Sequence, residues 1–302
     1  MKHLLTLLDY STEQIESILQ TAVDLKTKFK NGIREPILER QVLALLFSKP
    51  SLRTRVSFEA GISHLGGSSL YLSDDVGFGK REDPSDFARV ISQYVDFVVC
   101  RTHDHEEVET LAKYANCSVI NGLTDMYHPC QALADILTLR EFRSDLQDCK
   151  LTYVGDGNNV ARSLAIICDR LGISFTVACP NGYQLESSFV ASMGDRFCQT
   201  DNLTDAVKDA SAIYTDVWSS MGYESEKQKR LQDFSDYQVN EALLSHAPKD
   251  VLFMHCLPAH RGEEVSAGVM DSEHSVVIQQ AANRMHAQKG LLVWLSQNKN
   301  EG

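Results

Sequence analysis

The chain has 302 residues, of which 43% are hydrophobic and 23% charged, and its net charge is −12. These proportions are typical of a soluble globular protein with room for two medium-sized domains. The acidic balance argues against nucleic-acid and membrane-surface partners, so any phosphate must be bound by a local basic pocket. No apolar run approaches the roughly 20 residues of a membrane span. Eight cysteines without a CxxC pair predict reduced thiols and a cytoplasmic location.

Apolar strands alternate with helical patterns along the whole chain. Continuous apolar strands separated by helices predict parallel sheets covered on both faces. The strands fall into two series, at 41–47, 68–72, 96–100 and 117–121, and at 151–156, 175–179, 196–199, 212–218 and 251–257. We therefore predict an α/β protein with two doubly wound parallel-sheet domains, 1–147 and 148–284, joined by long helices. The helix 285–302 is predicted to pack back on the first domain, and the active site to lie in the interdomain cleft.

Residues 47–55 (FSKPSLRTR) lie where the first strand gives way to a helix. A helix start carries partial positive charge and free N–H groups, which together bind oxyanions. Ser51 and Thr54 add hydroxyls there, and Arg53 and Arg55 add guanidinium groups suited to phosphate. On spacing alone, an ordinary N-cap serine with solvated arginines is an equal alternative.

Further polar residues follow other predicted strands, at the edge where open parallel sheets bind ligands. Arg101 directly follows the strand DFVVC, and a third arginine favours an anion pocket over a capped helix. His128 and Gln131 open a helix and share one of its faces, so both can contact one ligand. An imidazole donor and an amide suit a carbonyl oxygen and an amide NH₂.

The segment Gly155–Asn159 (GDGNN) begins a helix after a strand and suggests a dinucleotide-binding loop. Val160 replaces the third glycine of that motif, and no acidic residue ends the next strand, so this interpretation is weak. Asn158 and Asn159 instead offer amides to a carboxylate, with helix capping as the alternative.

Asp216–Gly222 (DVWSSMG) ends another strand, where Asp216 can pair with an ammonium group and Ser220 can bind a carboxylate. Together with Asn159 this describes a clamp for an α-amino acid. His255 and Cys256 are adjacent on a strand and point to opposite faces, so His255 is badly placed to activate a cysteine nucleophile. We expect Cys256 to be a polar contact near an amine.

The motifs SLRTR, HPCQ, DGNN, DVWSSMG and HCLPA, in this order and spacing, resemble the aspartate/ornithine carbamoyltransferase superfamily, and the last two resemble its ornithine branch. The resemblance covers essentially the whole chain. It implies transfer of the carbamoyl group of carbamoyl phosphate to the δ-amine of L-ornithine, a step of arginine biosynthesis. It implies no metal and no organic cofactor.

The resemblance also implies roles for individual residues. The catalytic residues are Arg53, Arg101, His128, Asp216 and Cys256. Carbamoyl phosphate is bound by Ser51, Leu52, Arg53, Thr54, Arg101, His128 and Gln131, and from the second domain by Cys256, Leu257 and Arg284. L-ornithine is bound by Asn158, Asn159, Asp216, Ser220 and Met221. The family forms homotrimers or multiples of trimers, in which a neighbouring subunit completes each phosphate site; here the loop with Lys80 and Arg81 is the candidate donor.

One residue departs from the family pattern: ornithine enzymes usually have threonine where this chain has Leu52. Leucine occurs there in relatives that use acylated ornithines. An N-acyl-ornithine or diamine carbamoyltransferase therefore stays open as an alternative, and so does a non-catalytic binding protein of this fold.

Overall fold

The computed structural model describes residues 3–73, 76–78, 81–219 and 226–298. The chain divides into two units, one comprising Met1–Leu137 with Ala282–Gly302 and the other Thr138–Ala281. Both dividing points lie inside helices, at positions where the helical pattern of the sequence runs on without a break. A boundary of this kind leaves no loop or composition change in the sequence.

The first unit is a parallel sheet with helices between consecutive strands. Its strand order is β2-β1-β3-β4. The chain therefore starts at β1 in the interior of the sheet, adds β2 on one side, and then adds β3 and β4 on the other side. Each strand is short, apolar and followed by a helix, which is the arrangement that buries both faces of a parallel sheet. Its elements are α1 (Thr12–Lys30), β1 (Val42–Phe47), α2 (Leu52–His64), β2 (Ser68–Leu72), α3 (Pro84–Ile91), β3 (Phe97–Arg101), α4 (His105–Tyr114), β4 (Ser118–Leu123) and the start of α5 (Pro129–Phe142).

Helix α1 begins with a capping box, in which Ser11 and Gln14 satisfy each other's backbone N–H groups. It packs against the long C-terminal helix α12 (Val277–Gln297), most of which belongs to this unit. Tyr10 lies just before α1, and its ring is 5.6 Å from that of Trp294. A Cβ atom at Gly290 would lie 2.6 Å from the carbonyl oxygen of Ile18, so glycine allows the two helices to approach this closely.

The second unit repeats the plan with five parallel strands in the order β7-β6-β5-β8-β9. The order in which strands are added changes side between β5 and β8. These two strands pair in parallel, from Leu151↔Ala212 to Val154↔Thr215. Its strands are β5 (Lys150–Val154), β6 (Ser174–Ala178), β7 (Phe197–Thr200), β8 (Ala212–Thr215) and β9 (Leu252–His255). Its helices are α6 (Asn159–Leu171), α7 (Ser187–Val190), α8 (Leu203–Val207), α9 (Lys227–Asp233), α10 (Glu241–Leu244) and α11 (Ala267–Met270).

The prediction of two doubly wound parallel-sheet domains is confirmed. Each unit has its own apolar core between sheet and helices, centred in the first on Val98 and Val108 and in the second on Ile213 and Phe253. Within the described ranges, none of the helices combines the length and the apolarity that crossing a bilayer demands.

Candidate active site

In a doubly wound sheet, ligands bind beyond the carboxyl ends of the strands, where the strand order reverses. In the first unit this point lies between β1 and β3, whose last residues, Phe47 and Arg101, are paired in register. The segment that follows β1 turns directly into α2, so Ser51–Thr54 and Arg101 belong to the same edge of the sheet. Both predicted components of the anion pocket therefore lie where the topology favours a ligand.

Ser51 is the N-cap of α2, so the capping interpretation of the turn is confirmed, and the oxyanion interpretation stays a prediction. Its Oγ accepts a hydrogen bond from the Thr54 N–H at 3.4 Å and donates one to the Thr54 hydroxyl at 3.0 Å. The first turn of α2 contains no acidic residue, so its partial positive charge is not offset there. Leu52, the first residue of α2, is 75% exposed.

Arg284 of α12 connects the predicted phosphate ligands to one another. Its guanidinium donates to the Gln131 side-chain oxygen at 2.6 Å, to His128 Nε2 at 3.2 Å and to the Thr54 hydroxyl at 3.3 Å. All four side chains are buried, with Arg284 only 3% exposed. We call this group, with Arg53 and Arg101, the arginine site. The sequence placed Arg284 in the second domain, but the structure places it in the first unit.

No acidic residue is among the groups that shift the pKa of Arg101 or of His128. Burial, together with the like charges of Arg284 and Arg53, lowers the pKa of Arg101 to about 10. Burial also lowers the pKa of His128 well below 6.5, again with help from Arg284 and Arg101, so this imidazole is neutral at physiological pH. Arg101 Nε is buried and has no hydrogen-bond partner among the described residues. Buried, mutually repelling guanidiniums of this kind are suited to a polyanionic ligand.

Arg55 does not join this group. It is exposed, pairs with Glu59 at 3.2 Å and lies 3.9 Å above the ring of Tyr71. Residues two apart on a helix point about 200° away from each other, so Arg53 and Arg55 cannot serve one ligand. The paired-arginine interpretation of SLRTR is therefore wrong for Arg55.

Asp135 is a member of the site that the sequence pattern did not indicate. It is fully buried and accepts a hydrogen bond from the Gln131 side-chain nitrogen at 2.7 Å. This contact fixes the amide so that its oxygen faces Arg284 and keeps a second lone pair for a ligand. The available signal was the spacing of four residues within α5, which places Gln131 and Asp135 on one helix face.

In the second unit, Asp216 follows β8 directly and is surrounded by hydrogen-bond donors. The Cys256 thiol donates to Asp216 Oδ1 at 2.9 Å, the Asn158 amide to Oδ2 at 3.2 Å and the Val217 N–H to Oδ1 at 2.8 Å. A carboxylate oxygen accepts about two hydrogen bonds, so Oδ2 can still accept one from a ligand cation. We call Asn158, Asp216 and Cys256 the carboxylate site.

Asn158 is the N-cap of α6, so the capping alternative is confirmed, and its binding of a ligand carboxylate stays a prediction. Its side-chain oxygen accepts from the N–H groups of Val160 and Ala161 at 2.9 and 3.1 Å, which turns its nitrogen toward Asp216. A Cβ atom at Gly157 would lie 2.7 Å from the backbone nitrogen of Leu185. Glycine at this position is therefore explained by the close packing of the loop against the Leu185 backbone. A dinucleotide is not needed to explain it. Asn159 follows as the first residue of α6.

Two predicted ornithine ligands, Ser220 and Met221, lie outside the described residues, and so does Lys80 of the proposed donor loop. Their roles stay predictions.

Comparison with known proteins decides the family. The model of the aspartate/ornithine carbamoyltransferase carbamoyl-P binding domain matches residues 2–141, and that of the Asp/Orn binding domain matches residues 147–295. The chain belongs to this carbamoyltransferase family. It is 50% identical to the ornithine carbamoyltransferase of Anoxybacillus flavithermus (strain DSM 21510 / WK1), with 97% of this chain and 96% of that protein covered.

Relatives from an archaeon agree with this assignment. The anabolic ornithine carbamoyltransferase of Pyrococcus furiosus (strain ATCC 43587 / DSM 3638 / JCM 8422 / Vc1) is 50% identical and covers 96% of this chain and 95% of its own length. A solved structure of ornithine carbamoyltransferase from Pyrococcus furiosus superposes with a TM-score of 0.93 at 49% identity, covering 96% of both chains. As a family member, the chain is a carbamoyltransferase.

The segment after β9 brings Cys256 and Leu257 to the edge of the second sheet. His255 is fully buried there, and its Nδ1 accepts a hydrogen bond from the Leu257 N–H at 2.9 Å. Its Nε2 therefore carries the proton and donates to Glu264 at 3.1 Å. Leu257 has a positive φ of 58°, a conformation that costs a non-glycine residue about 1 kcal/mol and needs such support. His255 thus hydrogen-bonds to Leu257 and Glu264, while Cys256 donates to Asp216.

Within the described residues, two side-chain groups have the donor types of a metal site. In each, the ligand atoms lie within 4.8 Å of one another: Asp216, His255 and Cys256, and His260, Glu263 and Glu264. In the first group, both His255 nitrogens and the Cys256 thiol already make the hydrogen bonds described above. A metal would have to displace the Leu257 N–H or the Glu264 carboxylate from His255, which does not fit a resident metal ion.

Glu264 is expected to hold this turn, since it is fully buried and also accepts from the His260 N–H. Replacing it with leucine leaves His255 Nε2–H and that backbone N–H buried without an acceptor. We expect Glu264→Leu to lower the free energy of unfolding by about 3–5 kcal/mol, measured by urea denaturation. Glu264→Gln keeps one acceptor oxygen and is the matched control, with a smaller loss. Equal stability of both variants and the parent would show that Glu264 does not support the turn.

Proposed function

We propose that this chain transfers the carbamoyl group of carbamoyl phosphate to the δ-amine of L-ornithine, giving L-citrulline and phosphate, as a step of arginine biosynthesis. The proposal is supported by family membership and by relatives near 50% identity that are named ornithine carbamoyltransferase, one of them anabolic. The observation that carries it is the arginine site, in which buried guanidiniums converge without a carboxylate among the charges that act on Arg101.

Carbamoyl phosphate has the chemistry that the arginine site requires. Its phosphate group is a dianion that can accept hydrogen bonds from the first turn of α2, Thr54, Arg53 and Arg101. Its carbamoyl group adds a carbonyl acceptor and an NH₂ donor, for which His128 and the free lone pair of Gln131 are suited. We assign Ser51, Leu52 and Arg284 to the same substrate, as well as Cys256 and Leu257.

L-ornithine fits the carboxylate site as the amine substrate. Asp216 supplies a charge for an amine, and Cys256 and Asn158 hold that carboxylate in place. Asn159, Ser220 and Met221 are proposed to bind the α-amino-acid end. Ornithine presents two amines and one carboxylate, which matches a site with one charged acceptor and several neutral polar groups.

The chemical step is attack of the neutral δ-amine on the carbamoyl carbon. A C–N bond forms, the carbonyl oxygen gains negative charge, and the C–O bond to phosphate then breaks. The proton lost by the amine nitrogen ends on the leaving phosphate, so charge and atoms balance. Arg53, Arg101, Thr54 and His128 stabilise the oxygen and the leaving group, which is where transition-state charge develops. No residue of the described sites has to form a covalent intermediate.

This chemistry predicts a specific pH dependence. The free amine has a pKa of about 10.4, so its neutral fraction rises nearly tenfold per pH unit below that value. We expect kcat/KM for ornithine to rise with slope one between about pH 6 and 8. His128 adds no inflection near 6.5, because its lowered pKa keeps it neutral over this range. Initial rates at saturating carbamoyl phosphate test this, and a flat profile would contradict it.

The function itself is tested by citrulline and phosphate release with a panel of amines. We expect turnover with L-ornithine and at least about 100-fold lower kcat/KM with N-acetylornithine, putrescine and aspartate, since one lost charged contact costs several kcal/mol. Preference for N-acetylornithine would support the alternative raised by Leu52, and Leu52→Thr is the variant to compare. Absence of phosphate release with every amine would support a non-catalytic binding protein.

We also propose a cytoplasmic homotrimer, or a multiple of trimers, without a metal or organic cofactor. The resemblance supports this assembly, and it assigns the loop with Lys80 and Arg81 to a neighbouring subunit's phosphate site. Light scattering after size-exclusion chromatography gives the mass in solution. Mixing an Arg81→Ala subunit with an Arg53→Ala subunit tests shared sites, because restored activity requires that one subunit complete another.

A further inference from the structure

A second group of basic side chains surrounds Phe29, at the end of α1. The Lys289 ammonium lies 5.0 Å from the centre of the Phe29 ring and the Arg34 guanidinium carbon 3.6 Å from it. The His64 and His286 rings lie 5.2 and 5.1 Å away. We call these residues, with Lys26, the Phe29 cluster. All of them belong to the first unit, where α1, α2 and α12 meet.

Much of this positive charge is buried. Lys289 is 2% exposed, His286 4% and Lys26 6%, whereas Arg34 is exposed and marks the side that opens to solvent. Among the described residues, no carboxylate lies within ion-pair distance of Lys289. Nδ1 of His286 and Nδ1 of His64 are buried and have no hydrogen-bond partner within the described part of the chain. Lys26 donates to the Asn283 side-chain oxygen at 2.6 Å, whereas the buried Lys289 ammonium and the two imidazole nitrogens call for an acceptor.

The electrostatics of the cluster point the same way. Burial lowers the pKa of His286 to about 3, with further lowering by Lys289, Lys26, His64 and Lys30. Burial also lowers the pKa of Lys289 to about 8, with help from Arg34, and the pKa of His64 falls through burial, Arg34 and Lys289. No acidic residue is among these influences. The groups that lower the pKa of His286 come from α1, α2 and α12, and all of them are basic.

We propose that the Phe29 cluster binds a small oxyanion, of the phosphate, sulfate or carboxylate class, between Lys289, His286 and His64. An oxyanion offers several acceptor oxygens, so it can accept hydrogen bonds from an ammonium group and from imidazole N–H groups. The site is separate from the arginine site: His286 and Arg284 are two residues apart on α12 and so point about 200° away from each other. The proposal does not depend on the proposed reaction.

The test counts phosphate-binding sites by equilibrium dialysis with labelled inorganic phosphate, in a phosphate- and sulfate-free buffer near pH 7. We expect two sites per wild-type chain. Arg101→Met should remove one, which belongs to the arginine site, and Lys289→Met should remove the other or weaken it at least 10-fold. Lys113→Met is the matched control: Lys113 also lies over an aromatic ring, that of Tyr114 at 5.3 Å, but on an exposed stretch of α4. It should keep both sites.

Two further measurements keep the outcome decisive. Lys289→Arg keeps the positive charge and should retain the second site even if Lys289→Met folds poorly. Binding to the second site should weaken as the pH rises above about 8, where Lys289 loses its proton. A single site in the wild-type chain, lost in Arg101→Met, would overturn the proposal. A count unchanged by Arg101→Met but reduced by Lys289→Met would support the cluster and instead contradict the phosphate role of Arg101.

Discussion

Replacing Arg101 with methionine should weaken phosphate and carbamoyl phosphate binding by about 10²–10³-fold, equivalent to about 3–4 kcal/mol. Arg101 is 6% exposed, and the groups that act on its charge are the like charges of Arg284 and Arg53. Methionine keeps the buried apolar stem and removes only the guanidinium. The same substitution should leave the unfolding free energy of the ligand-free protein unchanged or raised, because it relieves repulsion among buried charges.

Weaker phosphate binding together with unchanged or raised stability distinguishes a ligand-binding arginine from a structural one. Binding is measured by isothermal titration with inorganic phosphate and stability by urea denaturation in phosphate-free buffer. Arg55→Met is the matched control from α2, since Arg55 pairs with Glu59 at the surface. It should change affinity less than about threefold, because exposed ion pairs contribute little. Loss of more than about 2 kcal/mol of stability in Arg101→Met, with phosphate affinity intact, would identify a structural residue and contradict the assignment.

The fold could be predicted from the sequence because its signals are local. Each strand is a short apolar run, and the predicted strand at 68–72 coincides with β2 (Ser68–Leu72). The strand predicted at 212–218 ends three residues early, at Thr215. Trp218 extends the apolar pattern for a different reason, since its ring stacks on Phe234 at 5.8 Å outside the sheet. An apolar run in the sequence indicates that its residues are buried. It does not show whether they belong to a strand or to a packed loop after the strand.

Candidate site residues could be predicted where they belong to a local sequence motif. They were missed where only a contact with a residue distant in the sequence indicates them. Thr54, His128 and Gln131 stand at helix starts after strands, which the topology brings together. Asp135 and Glu264 are buried carboxylates inside ordinary polar patterns, and only their partners reveal them. Arg284 groups with the first unit because α12 passes from one unit to the other before it, although the family model of the second domain, at 147–295, includes this residue.

Asp216→Asn should lower kcat/KM for ornithine by about 10³-fold and leave inorganic phosphate affinity within about threefold of the parent. The substitution keeps the shape of the side chain and removes the charge that pairs with the amine. It also places an amide nitrogen next to the donors that now surround the carboxylate, the Cys256 thiol or the Asn158 amide. Steady-state rates with ornithine and phosphate titration separate the two effects. Unaltered ornithine turnover would remove Asp216 from the amine site.

Cys256 provides the control that distinguishes an electrostatic clamp from covalent catalysis. In the clamp, the thiol is only a hydrogen-bond donor to Asp216 at 2.9 Å, so Cys256→Ser retains a donor and should keep activity within about 10-fold. Cys256→Ala loses the donor and should fall further, but by less than Asp216→Asn. A covalent nucleophile predicts the opposite order, with both cysteine variants losing about 10⁴-fold or more and Asp216→Asn less affected. The arrangement of His255, whose two nitrogens are occupied by Leu257 and Glu264, favours the first order, because this imidazole is not free to activate the thiol.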